Sequence, residues 1–164
     1  MIEVTSNPAW AYSTLANLYL NMDLTYDAIK KYQTALQYKP EDDGLWVALA
    51  DAYEKSGLFE EADDAYARAL EAAIKPSNMV YDQFLYGNFL YRQGRYDEAI
   101  FQWESALVLD PQQCDLMLNL GSAYKELDQV EKARNIYTKA LSLAGTADPE
   151  CITKAQMQLA GLSP

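Results

Sequence analysis

Apolar residues recur along the chain at the three- and four-residue spacing of amphipathic helices, in stretches of about 13 residues. Two successive stripes illustrate the pattern: Leu45, Trp46, Leu49, Ala50 and Tyr53, followed by Ala62, Ala65, Tyr66, Ala69 and Leu70. No stretch sustains the alternation of period two that a half-buried strand needs. Glycine-containing segments at 56–59 and 93–96 separate such stretches and are typical of tight turns. The pattern predicts an all-α fold built from helical hairpins.

The hairpin pattern repeats four times. Ala28, Ala62, Ala99 and Ala133 are spaced by 34, 37 and 34 residues. Each is followed four residues later by an aromatic residue and seven residues later by another alanine, and each is preceded at twelve residues by a small one. These positions hold Tyr32, Tyr66, Trp103 and Tyr137; Ala35, Ala69, Ala106 and Ala140; and Ala16, Ala50, Gly87 and Gly121. Small residues at these points let two helices approach closely beside a large ring.

This pattern resembles the tetratricopeptide-repeat (TPR) family, whose motif runs W-x2-L-G-x2-Y, A-x3-F, A and P. The second repeat reads Trp46, Leu49, Ala50, Tyr53, Ala62, Tyr66 and Ala69, whereas the third departs most, with Gln83 and Leu90 at two aromatic positions. The resemblance covers about residues 9–147. It implies a right-handed α-α superhelix (a TPR solenoid) of about four hairpins, as a single domain 1–164 with repeats at about 9–42, 43–76, 80–113 and 114–147.

The ends of the array differ from each other. Asp148 and Pro149 form a helix-start signal before an apolar stripe, which predicts a terminal capping helix at about 149–162. The first repeat has no such cover, so its face around Trp10 and Leu18 is a candidate for stacking on another copy or on repeats of a longer chain. The spacing of 37 places three extra residues near 73–78, as a longer connection or an extra helical turn.

The charge of the chain narrows the choice of partner. Thirteen basic and twenty-four acidic residues give a net charge of −11, which disfavours nucleic acid and favours a protein segment that is apolar or basic. No apolar run approaches the ~18–20 residues that span a bilayer, and the first residues do not read as a signal peptide. We therefore expect no membrane insertion and a cytoplasmic location, while a lost leader or a larger parent protein stays open.

Catalytic and metal-binding chemistry has little support in these residues. The chain has no histidine, and its glycines form no phosphate-binding loop. The acidic turn at 41–44 lacks the alternating ligands of a calcium loop. Cys114 and Cys151 belong to no Cys-x-x-Cys pair, so we expect two reduced thiols rather than a disulfide or a metal site. The sequence predicts no enzyme, no cofactor and no bound metal.

The resemblance implies a concave groove, lined by the first helix of each repeat, that receives a peptide or a helix of a partner. By position, the groove residues are Trp10, Asn17, Val47, Asp51, Tyr81, Phe84, Leu85, Asn88, Tyr91, Arg92, Leu118 and Asn119. The apolar members from Tyr81 to Leu118 are expected to be open for binding, unless they pack beneath the terminal helix. Asn17, Asn88 and Asn119 suit the hydrogen bonds of an extended peptide.

These observations predict a non-catalytic protein–protein interaction scaffold or assembly factor that binds its partner in the groove. The alternative is a structural module, either self-associating as a homo-oligomer through the uncovered first repeat or forming one section of a larger TPR superhelix.

Overall fold

The computed structural model describes residues 7–144 and 148–162, and all regular elements within these residues are helices. They are α1 (Pro8–Asn21), α2 (Thr25–Tyr38), α3 (Asp43–Lys55), α4 (Phe59–Ala72), α5 (Pro76–Arg92), α6 (Tyr96–Leu109), α7 (Cys114–Glu126), α8 (Val130–Ala144) and α9 (Pro149–Ala160). The described residues contain no strand, which confirms the prediction of an all-α fold.

Polar side chains cap the N-termini of three of these helices. Asn7, Asp42 and Asp148 each accept a hydrogen bond from the backbone N–H three residues later, at 3.3, 3.1 and 2.9 Å. Such bonds satisfy donors that the first helical turn leaves without a partner. At Asn7 and Asp148 a proline follows at the first helical position, where its missing N–H has no cost.

The four three-residue turns within the hairpins share one geometry. A residue with positive φ occupies the middle of each turn: Asp23 at 58°, Gly57 at 74°, Gly94 at 74° and Asp128 at 57°. The next N–H then donates to the carbonyl five residues earlier, over 2.8–3.0 Å in all four turns. This is a helix-ending motif that favours glycine and tolerates Asp. The turns expected at Gly57 and Gly94 are confirmed.

Two glycines allow the two helices of a hairpin to approach each other closely in the last two repeats. A Cβ on Gly87 would lie 2.6 Å from Cδ1 of Trp103, and one on Gly121 would lie 2.6 Å from Cζ of Tyr137. Both rings are almost completely buried. Because any side chain at either glycine would collide with the ring, the small residue and the aromatic residue form one packing unit.

The three extra residues form an extra helical turn rather than a longer loop. Helix α5 has 17 residues, whereas α3 and α7, the first helices of the neighbouring repeats, have 13 each. The added residues include Pro76 at the start of α5 and Asn78, whose side-chain amide donates to the Asp43 carboxylate at 2.7 Å.

The chain divides into two compact units, Met1–Asn78 and Met79–Pro164. In the first unit, helices α1 to α4 pack each on the next around a core that contains Ala16, Ala28, Tyr32, Leu45 and Leu49. In the second unit, α6 to α9 do the same, and the Trp103 indole of α6 donates to the Phe84 carbonyl of α5 at 3.3 Å.

Helix α9 covers the last hairpin, as its apolar stripe predicts. Its residues Cys151, Ile152, Ala155 and Leu159, with Leu162 just beyond its end, join a hydrophobic cluster with residues of α7 and α8. Cys151 is disulfide-bonded to Cys114, with Cα atoms 6.0 Å apart. The expectation of two reduced thiols is therefore wrong. The reason is that α9 packs against α7 and brings together two cysteines that are 37 residues apart in the chain.

Candidate partner-binding groove

One face of α5 carries half of the groove residues expected in the second unit. Tyr81, Leu85, Asn88 and Arg92 are spaced by four, three and four residues, so they follow one line along the helix. Where α5 meets α7, the structure forms a depression of about 170 Å³. Its lining consists of Asn88, Tyr91, Arg92 and Asn119 together with Trp103 and Ser122.

Two half-buried asparagines face each other across this depression. The side-chain N–H of Asn119 donates to Oδ1 of Asn88 at 2.7 Å. This bond uses one N–H of Asn119 and the oxygen of Asn88. The amide hydrogens of Asn88 and the oxygen of Asn119 have no partner among the described residues. The pair thus offers one donor group and one acceptor, the same set that a peptide unit of a bound chain requires.

Aromatic rings form the wall beside the asparagines. The Tyr91 ring packs against Tyr96 with centroids 5.2 Å apart and against Trp103 with centroids 5.9 Å apart. Burial, followed by the nearby Glu126 carboxylate, raises the pKa of Tyr91, so its phenol stays protonated at neutral pH. Gly87 allows the indole of Trp103 to lie against α5. The depression therefore has a polar pair next to an apolar wall.

The other expected residues of the second unit differ in exposure. Tyr81 is 59% exposed, whereas Phe84 and Leu85 are half-buried. Leu118 follows the alternative expectation, packing beneath the terminal helix: it is only 8% exposed and belongs to the cluster that includes Cys151 and Ala155 of α9. The terminal helix thus covers part of the apolar surface while Tyr81 stays uncovered.

In the first unit, two of the expected residues, Asn17 and Asp51, interact with Tyr32. Asn17 is exposed and its Oδ1 accepts a hydrogen bond from the Tyr32 hydroxyl at 2.6 Å. Burial and the Asp51 carboxylate raise the pKa of Tyr32 to about 12. Asp51 is also ion-paired with Lys55 at 2.8 Å. Val47 is half-buried, and Trp10 is 68% exposed on α1.

Sequence reasoning missed Trp103 as a groove residue because it counted this ring only as packing. One signal was present: the other three repeats have tyrosine at this position, and an indole fills more space and needs an acceptor for its N–H. Ser122 also lines the depression, and its hydroxyl oxygen lies 3.2 Å from that of Tyr137.

Two larger depressions, of about 350 and 380 Å³, lie on either side of Trp46 in the first unit. Several of their polar groups are already paired. The Trp46 indole donates to the Pro40 carbonyl at 2.8 Å, and Arg68 lies over the Trp46 ring at 5.3 Å. Gln33 donates to the Tyr53 hydroxyl at 2.8 Å. We therefore favour the depression between α5 and α7 as the binding site.

One group of possible metal ligands occurs among the described residues: Cys114, Asp148 and Cys151. The two sulfur atoms are bonded to each other, and Asp148 accepts the N–H that begins α9. The structure thus assigns all three side chains to holding α9 in place. Within the described part of the chain, no helix combines the length and apolar character needed to cross a bilayer.

Stacked antiparallel helix pairs with a recurring small-and-aromatic contact define a helical-repeat protein. Sequence profiles described as "Tetratricopeptide repeat" match residues 26–76 and 115–146, and one described as "TPR repeat" matches residues 87–128. The chain belongs to the tetratricopeptide-repeat family, whose fold typically serves as a non-catalytic protein-interaction or assembly scaffold.

Relatives span a range of organisms. The chain is 27% identical to Superkiller protein 3 of Schizosaccharomyces pombe over 131 residues, which cover 80% of this chain and 9% of that protein. It is 28% identical to the type IV pilus assembly protein PilF of Pseudomonas aeruginosa over 135 residues, which cover 81% of this chain and 52% of PilF. The chain therefore spans about half of PilF and a small part of the longer relative.

Solved structures share the fold. The structure of Pseudomonas aeruginosa pilF superimposes with a TM-score of 0.68 at 24% identity, covering 95% of this chain and 77% of that one. The apo form of RapI gives a TM-score of 0.78 at 18% identity, covering 94% and 62%. At these identities the likeness concerns the fold alone.

Proposed function

We propose that the chain is a non-catalytic scaffold or assembly factor that binds a segment of a partner protein in the depression between α5 and α7. The observation that carries the proposal is the Asn88–Asn119 pair, which presents a free donor and a free acceptor beside the rings of Tyr91 and Trp103. Such a surface pairs with the backbone of a bound segment and accepts one of its apolar side chains.

Charge and exposure indicate the character of that segment. With a net charge of −11 the chain attracts basic peptides and repels phosphate backbones, so a protein partner is favoured over nucleic acid. Tyr81 lies on the same face of α5 as Asn88 and is 59% exposed. A large uncovered aromatic next to a polar pair suits the role of a binding hot spot. The preferred segment is apolar with flanking basic residues.

The test uses peptides selected from a phage-displayed random library on the full chain, with dissociation constants measured by fluorescence anisotropy. Asn119→Ala removes the free acceptor and one hydrogen bond, so we expect binding to weaken by roughly 5–10-fold. Asn135 is exposed on α8, and Asn135→Ala is the matched control that should leave affinity unchanged. Peptides that bind the Asn119 variant as tightly as the parent chain would contradict the proposed site.

The assembly role draws support from the relatives, since PilF is named a type IV pilus assembly protein. The absence of histidine and the pairing of both cysteines remove an imidazole base and a free thiol nucleophile from the chain. We therefore propose a role in protein binding rather than in catalysis.

The state of the two cysteines bears on the cytoplasmic location expected from the sequence. Disulfides persist in oxidising compartments and are rare in the cytosol of most organisms, so the Cys114–Cys151 bond favours an oxidising compartment. The test is to block free thiols with N-ethylmaleimide in intact source cells, and then to reduce and weigh the protein. Two blocked cysteines would restore the cytoplasmic location, whereas two unblocked ones would support the oxidising compartment.

A further inference from the structure

Helix α1 differs from the other eight helices of the described residues in having no charged side chain. Its sequence from Pro8 to Asn21 lacks Asp, Glu, Lys and Arg, in a chain whose net charge is −11. Several large apolar side chains are nonetheless exposed on it and just beyond it. They are Trp10, Leu18, Met22, Leu24 and Tyr26. An uncharged and apolar surface on a strongly acidic protein is a candidate interface.

Four apolar residues form a continuous stripe on α1, which we call the α1 seam: Ala11, Leu15, Leu18 and Met22. Their spacing of four, three and four residues is the spacing with which two helices pack side by side. Leu18 is 53% exposed and Met22 is 65% exposed.

The same positions in later repeats are buried. Helices α3 and α7 pack on the second helix of the repeat before them, and their residues equivalent to the first three seam positions are at most 8% exposed. These residues are Leu45, Leu49, Ala52, Leu116, Leu120 and Ala123. The α1 seam is thus the stacking face of a repeat, built with apolar residues and left uncovered in the described structure.

The structure also restricts what another copy can offer to this face. Within each unit, a stacking face packs on the second helix of the preceding repeat, as α3 does on α2 and α7 does on α6. The last such helix is α8, and α9 already packs on it and is tied to α7 by the disulfide. The α8 face is therefore not available to the seam of another copy. A symmetric contact, with the seam of one copy against the seam of the other, uses the uncharged surface of α1 twice.

We propose that two copies of this chain form a closed dimer through antiparallel packing of their α1 seams. An antiparallel two-fold pairs Leu15 with the partner's Leu18 and Ala11 with the partner's Met22. It also brings the acidic loop at Asp23 near the positive end of the partner's α1, a favourable charge–dipole contact. Because α1 has no charge, two copies meet there without like charges at the centre of the interface.

The test is sedimentation equilibrium of the full chain over concentrations from about 1 to 500 µM, a range suited to a small interface. We expect the parent chain to dimerise. Leu18→Glu puts a charge at the centre of the seam in both copies and should raise the dissociation constant by about 100-fold or more. The matched control is Val108→Glu on α6, where the side chain is 82% exposed, and it should leave the dimer intact.

A mixing experiment tests the antiparallel pairing. A Leu18→Glu copy and a Leu15→Lys copy should each be monomeric, and their equimolar mixture should form a heterodimer because Glu and Lys then face each other. A parent chain that remains monomeric throughout, or a Val108→Glu variant that dissociates as readily as Leu18→Glu, overturns the proposed dimer. A mixture that stays monomeric overturns the antiparallel pairing. Peptide binding at Asn119 is a separate readout and should not change in either variant.

Discussion

Removal of the Cys114–Cys151 disulfide should strongly destabilise the second unit. The bond closes a loop with a sequence separation of 37 residues. In the chain-entropy description, a cross-link over that length lowers the entropy of the unfolded chain and so raises its free energy by about 4 kcal/mol at 25 °C. Because the bond lies wholly within α7 to α9, the loss should fall on the unit that contains these helices.

The assay is urea unfolding followed by far-ultraviolet circular dichroism, with and without a phosphine reductant. Reduction should lower the free energy of unfolding of the second unit and raise its denaturant slope, since the released chain exposes more surface when it unfolds. The Cys114→Ala/Cys151→Ala variant is the control, because the reductant should not change its unfolding. Two alanines avoid placing a hydroxyl in the apolar site of Cys151, which is 3% exposed.

A difference below about 1 kcal/mol between the oxidised and reduced chains would refute this reasoning. It would mean that packing of α9, rather than the covalent link, holds the end of the array. The buried cluster of Ile152, Ala155, Leu159 and Leu162 would then account for the position of α9 on its own.

Three further perturbations address packing, ionisation and capping. Gly121→Ala should lower the free energy of unfolding by about 1–3 kcal/mol, because the new Cβ overlaps the Tyr137 ring. Gly161→Ala is the control, since its Cβ meets only ordinary contacts, and thermal unfolding compares the two variants. The free energy of unfolding should fall as pH rises above 10, because Tyr32 loses its proton at about pH 10 in the unfolded chain and at about 12 in the folded chain. Tyr32→Phe should reduce this loss, which urea titrations at several pH values measure. Asp42→Ala should cost about 0.5–2 kcal/mol of unfolding free energy.

Each of these expectations has an outcome that contradicts it. Equal melting temperatures for the two glycine variants would show that the hairpin can open to admit a methyl group. If the Tyr32→Phe chain loses as much unfolding free energy above pH 10 as the parent chain, other groups cause the loss of stability. For the cap, Glu41→Ala is the control on the neighbouring exposed residue; an equal effect there would assign the loss to general charge removal.

The sequence was sufficient to predict the hairpins because each structural position recurs four times. A single glycine such as Gly87 predicts no particular contact. A small residue sixteen positions before an aromatic ring in all four repeats, as at Gly87 and Gly121, predicts one repeated contact. The start of α9 was also readable from Asp148 and Pro149, since capping is a local interaction. Patterns that are local or repeated can be detected in one chain.

Features that depend on unique long-range contacts were not predictable. The burial of Leu118 and the pairing of the two cysteines both result from where α9 packs, and the sequence contains only one copy of that helix. The asparagines at 88 and 119 were recognised as groove residues by position. Their mutual hydrogen bond was not, because it depends on how closely α5 and α7 approach each other.

The disulfide also affects the order in which the helices open. Helical-repeat arrays lose structure by fraying from their ends, because an end repeat has a neighbour on one side only. At the C-terminal end, α9 is tied to α7 and cannot separate from it. In a single copy, the first described helix, α1, contacts α2 and leaves its seam uncovered. In a dilute, monomeric sample, amide hydrogens of α1 should therefore exchange before those of α9, and reduction should allow both helices to open.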